Sequence, residues 1–314
     1  MTVAFLFPGQ GSQSVGMGKA LAEVFPVARA VFAEVDDALG EKLSEIIWQG
    51  PAETLTLTQN AQPALMAMSL SVMRVLEANG VSLKSHVACV AGHSLGEYSA
   101  LAAAGAISLA DTARLLRLRG KAMQAAVPVG QGAMAALLGI DAEGAQRAVA
   151  EAAQGEVCQV ANDNDPGQVV ISGTKAAVER AGEIAKKYGA RRAMMLNVSA
   201  PFHCALMQPA ADAMRAALAG VKIHQPMVPV IANVLAGPVS DPGEIRLRLV
   251  EQVTGTVRWR ESVAHMAAAG VTHVYEIGAG KVLCGLAKRI DVTLEARPVG
   301  TPDDIEAALA ALKG

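Results

Sequence analysis

Short apolar runs closed by glycine-rich turns alternate along this chain with longer segments whose apolar residues recur every three or four positions. Val3–Phe7 is such a run. Pro8-Gly9 ends it, so it reads as a buried strand entering a tight loop. Residues 16–39 and 61–78 carry helical spacing. A second buried strand follows at 87–91, then a helix of small residues at 95–105. Ser108 opens the next helix with Asp111 three positions on as its capping partner, and the pattern continues to about Ala126.

Pro128, Gly130 and Gly132 then mark a boundary. Beyond it the spacing predicts strand 133–139, helix 141–153, strand 157–161, strand 168–173, helix 174–188 and strand 191–198. That β-α-β-β-α-β order is the order of a ferredoxin-like lobe. After Ala200-Pro201 the alternation resumes with helix 204–219, strand 228–232, helices near 241–253 and 258–269, strand 272–277 and two closing helices. The expected organisation is an α/β protein. Residues 1–127 and 199–314 form a large domain with a mostly parallel sheet covered on both faces, and 128–198 form an insertion.

Composition narrows the classes. Of 314 residues, 52% are hydrophobic and 18% charged, enough apolar material for a sizeable core and too little charge for a disordered chain. Aromatics are only 3%, so the core must come from Ala, Leu, Val and Met. A net charge of −2 argues against a nucleic-acid binder. The four cysteines form no CxxC pair and read as buried thiols in a reducing compartment. The longest charge-free apolar stretch, 98–110, is too short to span a bilayer, and no secretory leader is visible. A cytoplasmic protein with no membrane contact is expected.

The most specific motif is Gly92-His93-Ser94-Leu95-Gly96, a G-x-S-x-G with a strand before it and a helix after it. That context is what a nucleophile elbow requires, and the N–H of Leu95 is the expected first oxyanion donor. The loop Phe7-Pro8-Gly9-Gln10-Gly11-Ser12-Gln13 leaves the same edge of the sheet, so Gln10 is the candidate second donor. Serine needs a base. His93 is adjacent, but its side chain should point away across the turn. His203 lies in Ala200-Pro201-Phe202-His203, where the insertion ends and a cleft between lobes would open. Asp212 and Asp241 follow no convincing strand end, so a Ser–His dyad is favoured, with Gln252 a candidate to hold the imidazole.

In the helix after Ser108, Arg114, Arg117 and Lys121 fall on one stripe expected to face solvent. Arg119 instead sits among apolar positions, three after Leu116 and four before Met123. An inward arginine needs an anion, either a protein carboxylate or a carboxylate on the substrate.

Together these segments resemble the malonyl-CoA:acyl-carrier-protein transacylases of fatty acid synthesis. The resemblance runs through Phe7 to Gln13, Gly92 to Tyr98, Arg119-Gly120, NDNDPGQVVISG from Asn162, His203, Val257-Arg258-Trp259 and Glu276 to Leu283, covering essentially the whole chain in order. It implies an α/β-hydrolase-like domain with a ferredoxin-like insertion. It implies Ser94 as the acylated nucleophile, His203 as base, Gln252 orienting His203 through its backbone carbonyl, and the amides of Gln10 and Leu95 as the oxyanion hole. Arg119 would pair with the malonyl carboxylate, Asn162 and Gln168 would line the cleft, and the ring of Phe202 would disfavour branched acyl groups. Relatives usually carry proline where this chain has Thr256 and Ala279, which bears on loop geometry. Gly278-Ala279-Gly280-Lys281 does not have the spacing of a phosphate-binding loop.

The resemblance also implies malonyl-CoA as donor, acyl carrier protein as acceptor and partner, no bound cofactor and a monomer. The basic residues Lys186, Lys187, Arg191 and Arg192 are a candidate docking face for an acidic carrier. Rival readings are a serine thioesterase, an acyltransferase of a polyketide pathway and a non-catalytic docking subunit.

Overall fold

Ten strands form two sheets in the computed structural model, which describes residues 1–313. In chain order they are β1 (Val3–Phe7), β2 (Cys89–Gly92), β3 (Gly132–Leu138), β4 (Cys158–Asp165), β5 (Gln168–Thr174), β6 (Arg192–Met195), β7 (Val230–Ala232), β8 (Gly237–Val239), β9 (His273–Ile277) and β10 (Glu295–Val299). The larger sheet has the order β10-β9-β1-β2-β7-β8. Its pairings are parallel except β7 with β8. β1 reads as an unbroken apolar run because it is central and covered on both faces. Val3, Phe5 and Phe7 join the core built on the helix Thr58–Ala78. Ala4 and Leu6 join the opposite core, with Trp259 and Leu283.

The four strands β3 to β6 make the second sheet, in the order β4-β5-β3-β6 with every pairing antiparallel. With the helices Ala142–Ala153 and Lys175–Ile184, this is the topology the β-α-β-β-α-β order demands. Ala135, Leu137, Val169 and Ile171 face those helices. Met134, Ala136 and Val170 on the other face pack into the main core, so the lobe closes over the carboxyl edge of the large sheet.

Several expectations need correction. The segment 16–39 is two helices, Lys19–Val24 and Pro26–Leu39. Phe25 between them is extended and Pro26 starts the second, because proline has no N–H to continue the first. The short helices Leu43–Gln49 and Ala52–Thr56 and the strand β8 were not read from the pattern. Nor was β10, which lies between the two closing helices, Val282–Ile290 and Pro302–Lys313. Its sequence Glu-Ala-Arg-Pro-Val looks like a loop, but a proline is tolerated on an edge strand. Arg117 does not belong to the solvated stripe. It is buried and bonds the Gln59 carbonyl at 2.8 Å, the Asn60 side chain and, at 2.5 Å, Glu41. All four cysteines are buried and free.

Candidate active site

β1 and β2 are neighbours in register, Phe7 opposite Gly92, so the loops after both leave the sheet side by side. Ser94 lies in the second of these loops with φ 53°, a left-handed conformation unusual for serine. The flanking glycines are required by close approach. A Cβ on Gly92 would overlap the backbone of Gly96, and one on Gly96 would overlap the carbonyl of Phe7. Asn233, just after β7, clamps the turn. Its Oδ1 accepts from the Ser94 N–H at 2.8 Å and its Nδ2 donates to the Gly92 carbonyl at 2.7 Å. The turn feeds the helix Gly96–Ala103, whose N-terminus favours negative charge at Ser94. Neither Leu95 nor Gln10 gives its backbone N–H to another backbone group among the described residues, which leaves both free to donate.

His203 Nε2 lies 2.8 Å from Ser94 Oγ across 109 residues of sequence. His203 also has positive φ, 57°. Its Nδ1 donates to the Gln252 carbonyl at 2.8 Å. That carbonyl is available because the helix Pro242–Thr254 ends two residues later, within the last turn where carbonyls have no helical partner. The Nδ1–H bond fixes the tautomer that leaves Nε2 as the acceptor. Burial, together with the Arg119 charge, pushes the His203 pKa down to about 3, so the imidazole is neutral at pH 7 and able to take a proton. Asp212 pairs with Arg215 at the surface and Asp241 caps its own helix, so neither acts on His203. His93 turns toward the inserted lobe, with Nε2 2.9 Å from Asn164 Oδ1.

Arg119 is 1% exposed and forms no salt bridge among the described residues. One terminal nitrogen donates to Gln62 Oε1 at 2.8 Å. The other donates to Gln252 Oε1 at 3.0 Å and Ser94 Oγ at 3.2 Å. Its guanidinium carbon sits 5.6 Å from the centre of the Tyr98 ring, and its Nε has no partner. This is a positive charge stored against Ser94 with no carboxylate in direct contact. The nearby carboxylate, Glu97, is pushed up to about 7 by burial.

A cavity of about 350 Å³ opens over Ser94 and His203. Gln10 and Phe202 line it, as do Met134 and Asn162 of the inserted lobe. Gln168 does not line it; it pairs with Leu138 in β3 and Asp165 in β4. Thr256 ties the two parts of the molecule through a 2.6 Å bond to the Val160 carbonyl. In the basic cluster, Lys186 pairs with Glu183 and Lys187 with Glu151, whereas Arg191 and Arg192 have no ion pair among the described residues.

The acyl transferase domain family matches residues 4–290. The malonyl CoA-acyl carrier protein transacylase of Escherichia coli K12 is 50% identical over 306 residues, 98% of each chain. The chain belongs to the malonyl CoA-acyl carrier protein transacylase family. A crystal structure of the acyl-carrier-protein S-malonyltransferase from Bartonella henselae is 59% identical, with a TM-score of 0.98 and full coverage of both chains. A malonyl-transacylase in complex with a type II PKS acyl-carrier protein is 47% identical, with a TM-score of 0.96 over 99% of this chain and 100% of that one.

Within this family member, sequence reading passed over three site residues. Glu97 stands alone as a charge in an apolar helix, which is a readable signal. Asn233 follows a parallel strand at its carboxyl end, a weaker one. Gln62 carries no local signal at all.

Proposed function

We propose that this chain transfers a malonyl group from coenzyme A to the phosphopantetheine thiol of an acyl carrier protein through a malonyl-Ser94 ester. The observation that carries the reading is a buried guanidinium with no carboxylate partner, 3.2 Å from a serine that is itself paired with a neutral histidine. A nucleophile beside a stored positive charge suits an acyl group that bears its own carboxylate.

In the first half-reaction Ser94 Oγ attacks the thioester carbonyl as its proton passes to His203 Nε2. The amides of Gln10 and Leu95 receive the oxyanion. The tetrahedral adduct collapses, the C–S bond breaks, and coenzyme A leaves as a thiol with the proton from His203. In the second half-reaction the carrier thiol gives its proton to His203 and attacks the ester. Ser94 leaves and recovers the proton. Arg119 pairs with the malonyl carboxylate throughout, placing the carbonyl over Ser94 and selecting the substrate. Gln252 holds His203 in the productive tautomer.

Residues 1–127 and 199–314 serve as the catalytic domain, and 128–198 as the lobe that forms one wall of the cleft. Phe202 in that cleft narrows the acyl site against branched groups. The protein works as a cytoplasmic monomer without a bound cofactor. The acceptor is the carrier of fatty acid synthesis. The likeness to a transacylase solved in complex with a type II PKS carrier favours a polyketide carrier as the second reading.

The test is brief incubation with malonyl-CoA or acetyl-CoA, followed by intact mass, with Ser94→Ala as control. A malonyl adduct on the wild type alone, with little acetyl adduct, is expected. Steady thiol release without adduct would replace this reading by a thioesterase.

A further inference from the structure

Gln252 ties the base to the selecting arginine. Its backbone carbonyl holds His203 Nδ1, and its side-chain oxygen accepts from Arg119 at 3.0 Å. Which end of that amide faces Arg119 therefore matters, because an NH2 group there would oppose the guanidinium donor to donor. Three acceptors hold the NH2 end away. Asn233 Oδ1 lies 3.3 Å from it, the Ser94 carbonyl 3.0 Å, and Glu97 Oε2 is the nearest, at 2.8 Å. The same Glu97 oxygen accepts from the Asn233 N–H at 2.9 Å, so it also braces the residue that clamps the elbow. Glu97, Gln252 and Arg119 are each at most 2% exposed, so no water competes for these bonds.

We propose that Glu97 is a positioning residue for substrate selection: its carboxylate locks the Gln252 amide so that Arg119 is aimed at the substrate carboxylate. The inference rests on the malonyl-transfer reading and extends it one residue deeper. Glu97 touches neither substrate nor the reacting atoms. Its effect reaches the chemistry through a bond that strengthens the grip on malonyl and does nothing for acetyl.

The experiment compares kcat and KM for malonyl-CoA and acetyl-CoA in the wild type, Glu97→Met and Glu97→Gln, with thermal melting of each. Methionine fills the space without an acceptor. It should lower the malonyl-over-acetyl preference about 10- to 100-fold, the worth of one hydrogen bond to a charged group, mainly through a raised KM for malonyl-CoA. Glutamine keeps an acceptor oxygen and should restore the preference. Equal losses for both donors in Glu97→Met would mark a merely structural residue and overturn the proposal. If Glu97→Met melts below the assay temperature, Glu97→Gln decides. A change in preference beyond about tenfold in either direction would then show that charge rather than orientation is at work, and would overturn the proposal. A wild type that forms no malonyl adduct would instead sink the malonyl-transfer reading itself.

Discussion

Replacing Arg119 by alanine should separate malonyl from acetyl transfer. In the free protein Arg119 is buried against Gln62, Gln252, Tyr98 and Ser94, with no carboxylate in direct contact. On the proposed reading, the malonyl carboxylate becomes its partner in the acylated protein. Removing one member of a buried charge pair leaves the other unsolvated and costs about 3–5 kcal/mol. That loss falls on malonyl-CoA alone and corresponds to about 10²–10⁴ in kcat/KM. Acetyl-CoA has no carboxylate to strand. It loses only the 3.2 Å bond from Arg119 to Ser94 Oγ, a long and weak one, so its rate should change by less than about tenfold. The assay is thiol release from each donor at several concentrations, with adduct mass as a check on the acyl-enzyme. Arg119→Lys should lie between the wild type and Arg119→Ala, because an ammonium cannot match a carboxylate bidentately. An equal fall for both donors would refute the reasoning. It would mean that Arg119 serves Ser94 and not the substrate.

Further outcomes follow from the site and its turns. His203, pushed down to about 3, stays neutral where an ordinary imidazole would be protonated. Acylation followed by rapid quench should therefore stay flat from neutral pH down to about pH 5, and a fall through pH 6.5 would contradict the depressed pKa. The same residue shapes stability. It binds its proton only on unfolding between its ordinary 6.5 and about 3, so the native state loses stability as pH falls through that window, and His203→Gln should flatten this slope in urea titrations. Glu97 acts in the opposite sense: with its pKa raised from 4.5 to about 7, its contribution is full below 4.5 and is lost as pH rises through 7. Gly92→Ala should cost more than about 4 kcal/mol or prevent folding, since its methyl would overlap the Gly96 backbone. Gly167→Ala, whose nearest neighbour is 3.8 Å away, should cost less than about 1 kcal/mol in the same urea titration. Comparable losses for the two would refute the close-approach argument.

Much of the site was legible in the chain because its signals are local. A strand, a G-x-S-x-G turn and a helix lie within about fifteen residues, and sterics alone force the serine outward. The inward position of Arg119 followed from helical spacing, and the inserted lobe from the order of its six elements. Ser108 caps its helix as the spacing with Asp111 required. The rest depended on where distant segments meet. His203 reaches Ser94 across 109 residues, and Gln252 reaches His203 across 49, through a carbonyl that becomes available only because a helix stops there. Arg117 and Arg119 sit two positions apart on one helix. Both are buried, yet one finds Glu41 and the other finds no anion, a difference set entirely by the elements packed against each. Periodicity reports which side of an element is apolar. What that side meets is set by the packing of segments far apart in the chain, and only the folded molecule brings Glu97, Gln252 and Arg119 into one network.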